Sequence, residues 1–386
     1  MKYALTVLLI ALVVLAACGP GAAPTPTPVP PTPTPEQASQ ATQAPGEEEV
    51  QLAPELNVFN WTDYIDESLL EQYEKTYGVK INYDTYASNE ELLAKLQAGA
   101  TGYDVIFPSD YMVAQMIELG LLAELNLDHI PNFQYVMEDF KDPPFDPGNK
   151  HSVPYQWGTT GLAYHVPTFG DEVPDSWAYL FEPDHLKKYA DKGVNVLDDP
   201  RELIGAALKY LGYSVNDTNK DHLFQARDLI LKAKPYWKTF NSSDYDDTLL
   251  IPGEVVLSHA WSGDAFVAVW ETYDEDKDEA IWWYAIPKEG GVKWVDTMAI
   301  PASSKRKRTA EHFINFLLDP KSQAAITNYT YYASPSEAAK QYIDEEILNE
   351  PAIYPPKEVM DKLEWLEPVG DAATLYDQIW TEIKSQ

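Results

Sequence analysis

From residue 56 onward the chain repeats one pattern, a short apolar run, a turn and an amphipathic stretch, and this repetition constrains the fold more than any other feature. LNVFNW at 56–61 reads as a buried strand, and DESLLEQYEKTYG at 66–78 as a helix with Asp66 placed to cap it and Gly78 to end it. VKINYDTY at 79–86 alternates as a strand, SNEELLAKLQAGAT at 88–101 opens with a serine cap and a glutamate three residues on, and YDVIFPS at 103–109 is a strand again. Strands that alternate with helices imply a mainly parallel sheet covered on both faces, an α/β fold. Further along, 201–212 and 222–237 read as helices, 254–261 and 281–287 as strands, and 310–327 as a helix pair broken at Pro320. The stretch from about 55 to 386 is long enough for two lobes of ordinary size, the second starting near 158–166. Cys18 is the only cysteine, so no disulfide braces the fold and an apolar core must hold it.

The chain start has a different character. Lys2, an apolar run over residues 4–14 and the small residues before Cys18 have the form of a lipoprotein leader, cleaved before Cys18 with lipid on its thiol. The run is shorter than the roughly 20 residues that a membrane span needs. Residues 18–54 are rich in proline, threonine and alanine and cannot bury a core. Polyproline geometry makes them an extended tether of up to roughly 100 Å.

Net charge is −33, with 61 acidic residues. Such a chain repels phosphates, which argues against nucleic acid, and it concentrates cations around any cleft. Most of these acids serve as solvated surface, so their placement beside aromatic rings matters more than their number. FNWTDY at 59–64, PSDYMV at 108–113, LDDPRE at 197–202, HAWSGDAF at 259–266 and KWVDTMAIP at 293–301 each combine these elements, and each is expected where a strand ends. Ligands of open α/β sheets bind beyond such ends. Carboxylates hold ammonium groups by charge-assisted hydrogen bonds, while indole and phenol faces cover the methylenes between them. Asp199 and Glu202, separated by Pro200 and Arg201, fall at one helix N-terminus and suit a terminal amine, with Asp296 beside Trp294 suited to the middle of the ligand. Asp199 is equally well placed as an ordinary helix cap, a role that leaves ligand contact open. Trp237, Trp270, Trp282, Trp283 and Trp380 lie outside these motifs and read as core or interface.

Enzyme signatures are missing. The seven histidines show no paired metal spacing, and there is no G-x-S-x-G elbow or phosphate-cradling glycine loop. Two nearby carboxylates beside aromatics would also serve a glycosidase, but DDPRE offers no apolar pocket to raise one acid's pKa.

The runs FNWTDY, PSDYMV, PFDPGNKHSVPYQWGTTG, LDDPRE, AWSGDAF, PKEGGVKWVDTMAIP and INFLLDP, in this order, resemble the spermidine/putrescine-binding component of bacterial polyamine ABC importers. The likeness spans essentially everything from residue 56 to the C-terminus, and the PKEGG run with its W-x-D is its most specific part. It implies a two-lobed solute-binding fold of the type II periplasmic kind, with mixed β-sheets flanked by helices and a hinge between lobes. On that reading residues 1–17 are the leader, 18–54 the tether, 55–158 with 294–335 one lobe, and 159–293 with 336–386 the other. The resemblance implies that Asp63, Asp199, Glu202 and Asp296 meet amines. It implies aromatic walls from Trp61, Tyr64, Tyr111, Trp261, Trp294 and Tyr332, and lesser polar contacts from Ser109 and Ser242. Leu366 stands where the family can place a glutamine, and Asp110, where relatives can carry threonine, adds a charge expected near the mouth. The expected partners are a polyamine, ABC permease subunits and, through lipid on Cys18, the outer face of the cytoplasmic membrane; no cofactor or metal is implied. Three alternatives stay open: a receptor for another small solute, a lipoprotein sensor on the same fold, and an enzyme.

Overall fold

Leu56, Val58 and Phe59 are fully buried on the first strand, β1 (Glu55–Trp61), which pairs in parallel with β2 (Lys80–Tyr86) and β3 (Val105–Ile106). The computed structural model describes residues 51–386 apart from 87, 100, 101, 275, 276 and 278; the expected leader, Cys18 and nearly all of the tether lie outside the described residues. Seven strands follow: β4 (Ser152–His165), β5 (Val194–Val196), β6 (Thr239–Phe240), β7 (Leu257–Trp261), β8 (Trp282–Ala285), β9 (Val292–Ala299) and β10 (Glu364–Trp365). They join in the order β2-β1-β3-β9-β4-β7-β5-β6, with β8 on β4 and β10 on β9. Residues 51–386 form one compact unit.

The sheet is mixed, not mainly parallel. β4 runs antiparallel to β7, β8 and β9, and β3 is antiparallel to β9. The helix–strand alternation foretold the parallel edges but not this centre. β4 is buried along 13 of its 14 residues, polar Gln156, Thr159 and Thr160 included, so it shows no inward–outward alternation to mark it.

Helix ends follow local chemistry. In α1 (Ser68–Tyr77) Gly78 closes the helix at φ +68°, while the expected cap Asp66 lies one residue before the cap position and accepts the Ser68 N–H at 2.9 Å. Ser88 caps α2 (Asn89–Gln97) by accepting the Glu91 N–H at 3.1 Å. α3 (Asp110–Glu118) follows β3, and α4 (Pro200–Tyr210) follows β5 with proline in its first turn. α5 (Lys220–Ala233) packs on α4, and α6 (Ser262–Glu271) leaves β7 directly. α7 (Lys307–Leu317) and α8 (Pro320–Thr330) are the pair divided at Pro320, with Asp319 capping the second.

Two glycines permit close approach of aromatic rings to the backbone. A Cβ on Gly158 of β4 would stand 2.6 Å from the Trp294 ring and 2.9 Å from Ser262 Oγ, and one on Gly263 would stand 2.4 Å from the Tyr332 ring. Both rings are buried and cannot swing aside freely. Gly158→Ala is therefore expected to destabilise the fold by about 1–3 kcal/mol through overpacking, read as a lower midpoint in denaturant unfolding with an unchanged slope.

Candidate ligand-binding site

Alternation along β4 places Gln156, Gly158 and Thr160 on one face. Directly opposite them lie Asp296 and Trp294 of β9 and Trp261 of β7. The central antiparallel strands thus carry an acid and two indoles on one surface, and Gly158 leaves the space that Trp294 fills. The expectation that KWVDTMAIP sits at a strand end is corrected: Trp294 and Asp296 lie within β9. The other four motifs do follow strands.

Asp296 and Glu202 each have one oxygen tied and one left over. Asp296 Oδ2 accepts the Tyr64 hydroxyl at 2.6 Å, while Oδ1 has no hydrogen-bond partner among the described residues. Burial raises the Asp296 pKa to about 6, against the opposing influence of Ser109 and Tyr64; Ser109 is close without making a full hydrogen bond. Glu202 Oε1 accepts Thr160 Oγ1 at 3.0 Å and Trp261 Nε1 at 3.2 Å, and Oε2 is unpartnered. Burial first, and then Asp199, push the Glu202 pKa up to about 8, which corrects the expectation that DDPRE lacks a pocket able to raise an acid's pKa: the packing around Glu202 comes from distant segments. Asp199 is the cap of α4, its Oδ1 accepting the N–H groups of Arg201 at 2.8 Å and Glu202 at 3.0 Å. Among the described residues no lysine or arginine forms an ion pair with Asp199, Glu202 or Asp296.

The aromatic walls are contiguous on one side. Trp61 meets Tyr64 at 6.4 Å, Tyr64 meets Tyr332 at 5.5 Å, and Tyr332 meets Trp294 at 5.0 Å between ring centres. Trp61 is tied through Nε1 to the Phe107 carbonyl at 2.8 Å. Trp294 Nε1 is buried without a partner among the described residues. Tyr111 lies apart from this row, its hydroxyl meeting Asn89 Nδ2 at 3.1 Å and Glu90 Oε1 at 3.4 Å, and Asp199 is among the charges that raise its pKa. Ser109 hydrogen-bonds Asn89 on α2 and bridges to Asp296 on β9.

Two expected residues stand elsewhere. Asp63 is exposed, at φ +51°, and its pKa is raised by partial burial and by Asp244, Asp247 and Glu67. It belongs to an acidic rim. Ser242 accepts the Asp198 N–H at 2.7 Å and so braces the loop ahead of Asp199. Asp110, expected near the mouth, is instead fully buried at the start of α3. Leu366 lines a cavity of about 520 Å³ together with Val295 and Thr297, the residues of β9 that face away from Trp294 and Asp296.

The sequence reading missed Asp264. It lies in the first turn of α6, three residues after Trp261, and exchanges hydrogen bonds with Tyr332, whose hydroxyl donates to Oδ1 at 2.6 Å. Burial raises its pKa to about 6. The WSGD run held the signal, an acid one helical turn beyond an indole. Asp246, pushed up to about 8 by burial and then by Asp264, lies behind it.

Residues 68–355 match the family model of the bacterial extracellular solute-binding proteins. The chain belongs to that family. It is 39% identical over 339 residues to the putrescine-binding periplasmic protein SpuD of Pseudomonas aeruginosa, covering 86% of this chain and 92% of the relative. It is 36% identical to the spermidine/putrescine-binding periplasmic protein of Escherichia coli K12, covering 86% and 91%. Among solved structures, a spermidine/putrescine ABC transporter protein of Listeria monocytogenes superposes with a TM-score of 0.78 at 35% identity, over 86% of this chain and 99% of the other. A lipoprotein of Treponema pallidum superposes at 0.75 with 29% identity, over 86% and 100%. These solute-binding proteins are not enzymes, and they are extracytoplasmic; no helix among the described residues is long and apolar enough to cross a membrane.

A carboxyl whose folded pKa exceeds its unfolded value holds extra protons when folded, so its contribution to stability falls as pH rises through that interval. For Glu202 the interval runs from the ordinary value of 4.5 to about 8. The ligand-free protein is expected to melt at lower temperature at pH 8.5 than at pH 5.5, and Glu202→Gln to show a smaller drop. Equal slopes in calorimetric melts of the two proteins would remove Glu202 as a source.

Proposed function

We propose that this chain captures a polyamine, spermidine or putrescine, between two lobes and delivers it to the permease of an ABC importer. The observation that carries the reading is the pair of orphaned, buried oxygens, Asp296 Oδ1 and Glu202 Oε2, set among indole and phenol walls without a cationic partner. Leaving either ionised and unpaired costs several kcal/mol, and a chain of ammonium groups removes that cost at both points. Asp199 would share one terminal amine with Glu202, Asp264 and Asp296 would take the rest, and the rings of Trp61, Tyr64, Trp261, Trp294 and Tyr332 would cover methylenes. Tyr111, Ser109 and Ser242 would hold the surrounding loops, and Asp63 would draw cations at the rim. A micromolar dissociation constant needs about −8 kcal/mol, roughly −0.8 per heavy atom of spermidine, which is within reach of a small ligand. Relatives named for putrescine and spermidine binding support the same choice.

The two lobes comprise 55–158 with 294–335 and 159–293 with 336–386. In support, the buried cluster of Phe59, Leu92, Ile106, Val113 and Ala299 draws only on the first set, and that of Val194, Leu203, Leu223, Leu257 and Tyr376 only on the second. Closure is driven by contacts that exist only in the closed, ligand-bound state. Lipid on Cys18 and the proline-rich tether would hold the protein at the outer face of the cytoplasmic membrane, an arrangement consistent with the lipoprotein character of the Treponema pallidum neighbour.

Titration calorimetry with spermidine, putrescine, spermine and a neutral sugar tests this reading; heat from the sugar alone would overturn it. Asp296→Asn is expected to weaken spermidine binding by about 2–5 kcal/mol while changing the melting temperature little, since the amide keeps the shape but not the charge. Trp294→Ala should weaken binding as well, and the ratio of its effects on spermidine and putrescine locates the stretch of ligand that the indole covers.

A further inference from the structure

Asp110 is a buried acid in this region whose place the binding scheme leaves unexplained. It is fully buried at the first position of α3, where its Oδ1 accepts the Tyr111 N–H at 2.7 Å and its Oδ2 has no partner among the described residues. The charged groups that act on it are Asp296 on β9 and Glu202 and Arg201 on α4. Arg201 does not neutralise it by contact: Nη1 donates to the Glu367 carbonyl at 3.0 Å and Nη2 to Asn216 Oδ1 at 2.8 Å. The Val295 N–H is the further group that eases its ionisation. Three carboxyls from three elements therefore converge, each with one oxygen orphaned and none with a salt-bridge partner among the described residues.

We propose that Asp110, Glu202 and Asp296 form a proton store that empties when the ligand enters, so that polyamine capture is an exchange of ammonium groups for protons, with Asp110 a positioning residue that sets how many protons leave. This rests on the reading of the cleft as a polyamine site. In the empty protein, the cost of burying three carboxylates without a cation is relieved by holding protons on some of them. An arriving ammonium group makes the ionised form the favourable one, and the displaced proton passes to solvent; no bond other than O–H is broken. Burial pushes Asp110 and Glu202 up to about 8 and Asp296 to about 6, so the exchange falls in the neutral range. One consequence is release favoured by acid: a proton competes with the ligand for the same oxygens. Another is selection by charge, because a neutral solute of the same shape has nothing to exchange.

The test is titration calorimetry of the protein with spermidine and with putrescine in buffers of differing ionisation heat, repeated from pH 5.5 to 7.5, where the amines stay charged. The slope of observed heat against buffer heat gives the protons released. We expect net release, with affinity tightening roughly threefold or more per pH unit, a linkage of at least about half a proton. Asp110→Asn should lower the number released and flatten the pH profile while spermidine still binds. Binding with no proton release and no pH dependence overturns the exchange but leaves the polyamine reading intact; absence of binding by both amines at every pH overturns both. An unchanged proton count in Asp110→Asn removes Asp110 from the store. Should that variant fail to fold, Asp110→Thr is measured in its place, and the wild-type count alone still decides whether exchange occurs.

Discussion

An ionised carboxyl taken out of water must find a cation or a proton, and the centre of this protein is arranged around that constraint. Asp296, Glu202 and Asp110 are buried beyond what their hydrogen bonds satisfy, each with an oxygen unpartnered among the described residues. In a protein selected for stability alone such groups would be replaced by apolar ones. Their retention between indole and phenol rings is intelligible when the missing partner comes from outside. The apolar walls then have two uses, covering the ligand's methylenes and lowering the local dielectric so that each ammonium–carboxylate contact counts for more.

Precision comes from the antiparallel centre of the sheet. β4 sets the spacing of Gln156, Gly158 and Thr160, and with them the positions of Asp296, Trp294 and Trp261 on its neighbours. A residue on a paired strand is held by ladder hydrogen bonds on both sides and shifts less than one on a loop. The α4 N-terminus adds a second fixed point, since capping by Asp199 positions its own carboxylate and that of Glu202 through one short turn. Tyr332 links the remaining wall to Asp264 and packs against Trp294 and Tyr64, so the rings and acids brace one another even without ligand.

Two sets of contacts cross this centre with different implications. Those inside the clusters around Phe59 and around Leu203 are satisfied apolar packing. Those at the acids leave buried oxygens without a partner among the described residues, and on the proposed reading they are the ones a ligand relieves. On the proposed reading, the cost of burying these carboxyls without a cation is what the ligand offsets, in keeping with the rule that a ligand shifts an equilibrium only by its differential affinity.

Most of the site was legible as short motifs. Helix caps such as Ser88 and Asp199, the helix break at Pro320, and the pairing of acids with indoles in FNWTDY, LDDPRE and KWVDTMAIP depend on neighbours a few residues apart, so local sequence determined them. What only the tertiary structure decided depends on contacts between distant segments. β4 carries no alternation because both its faces are covered, and nothing near it in sequence announces that its partners are β7 and β9. Asp63 and Asp110 look alike as acids beside aromatics in turns, yet one is exposed on a left-handed turn and the other is buried under β9. Asp264 and Tyr332 are 68 residues apart and meet at 2.6 Å. Burial is a property of everything that packs on a residue, which is why the sequence could name the acids but not say which of them would be left without water.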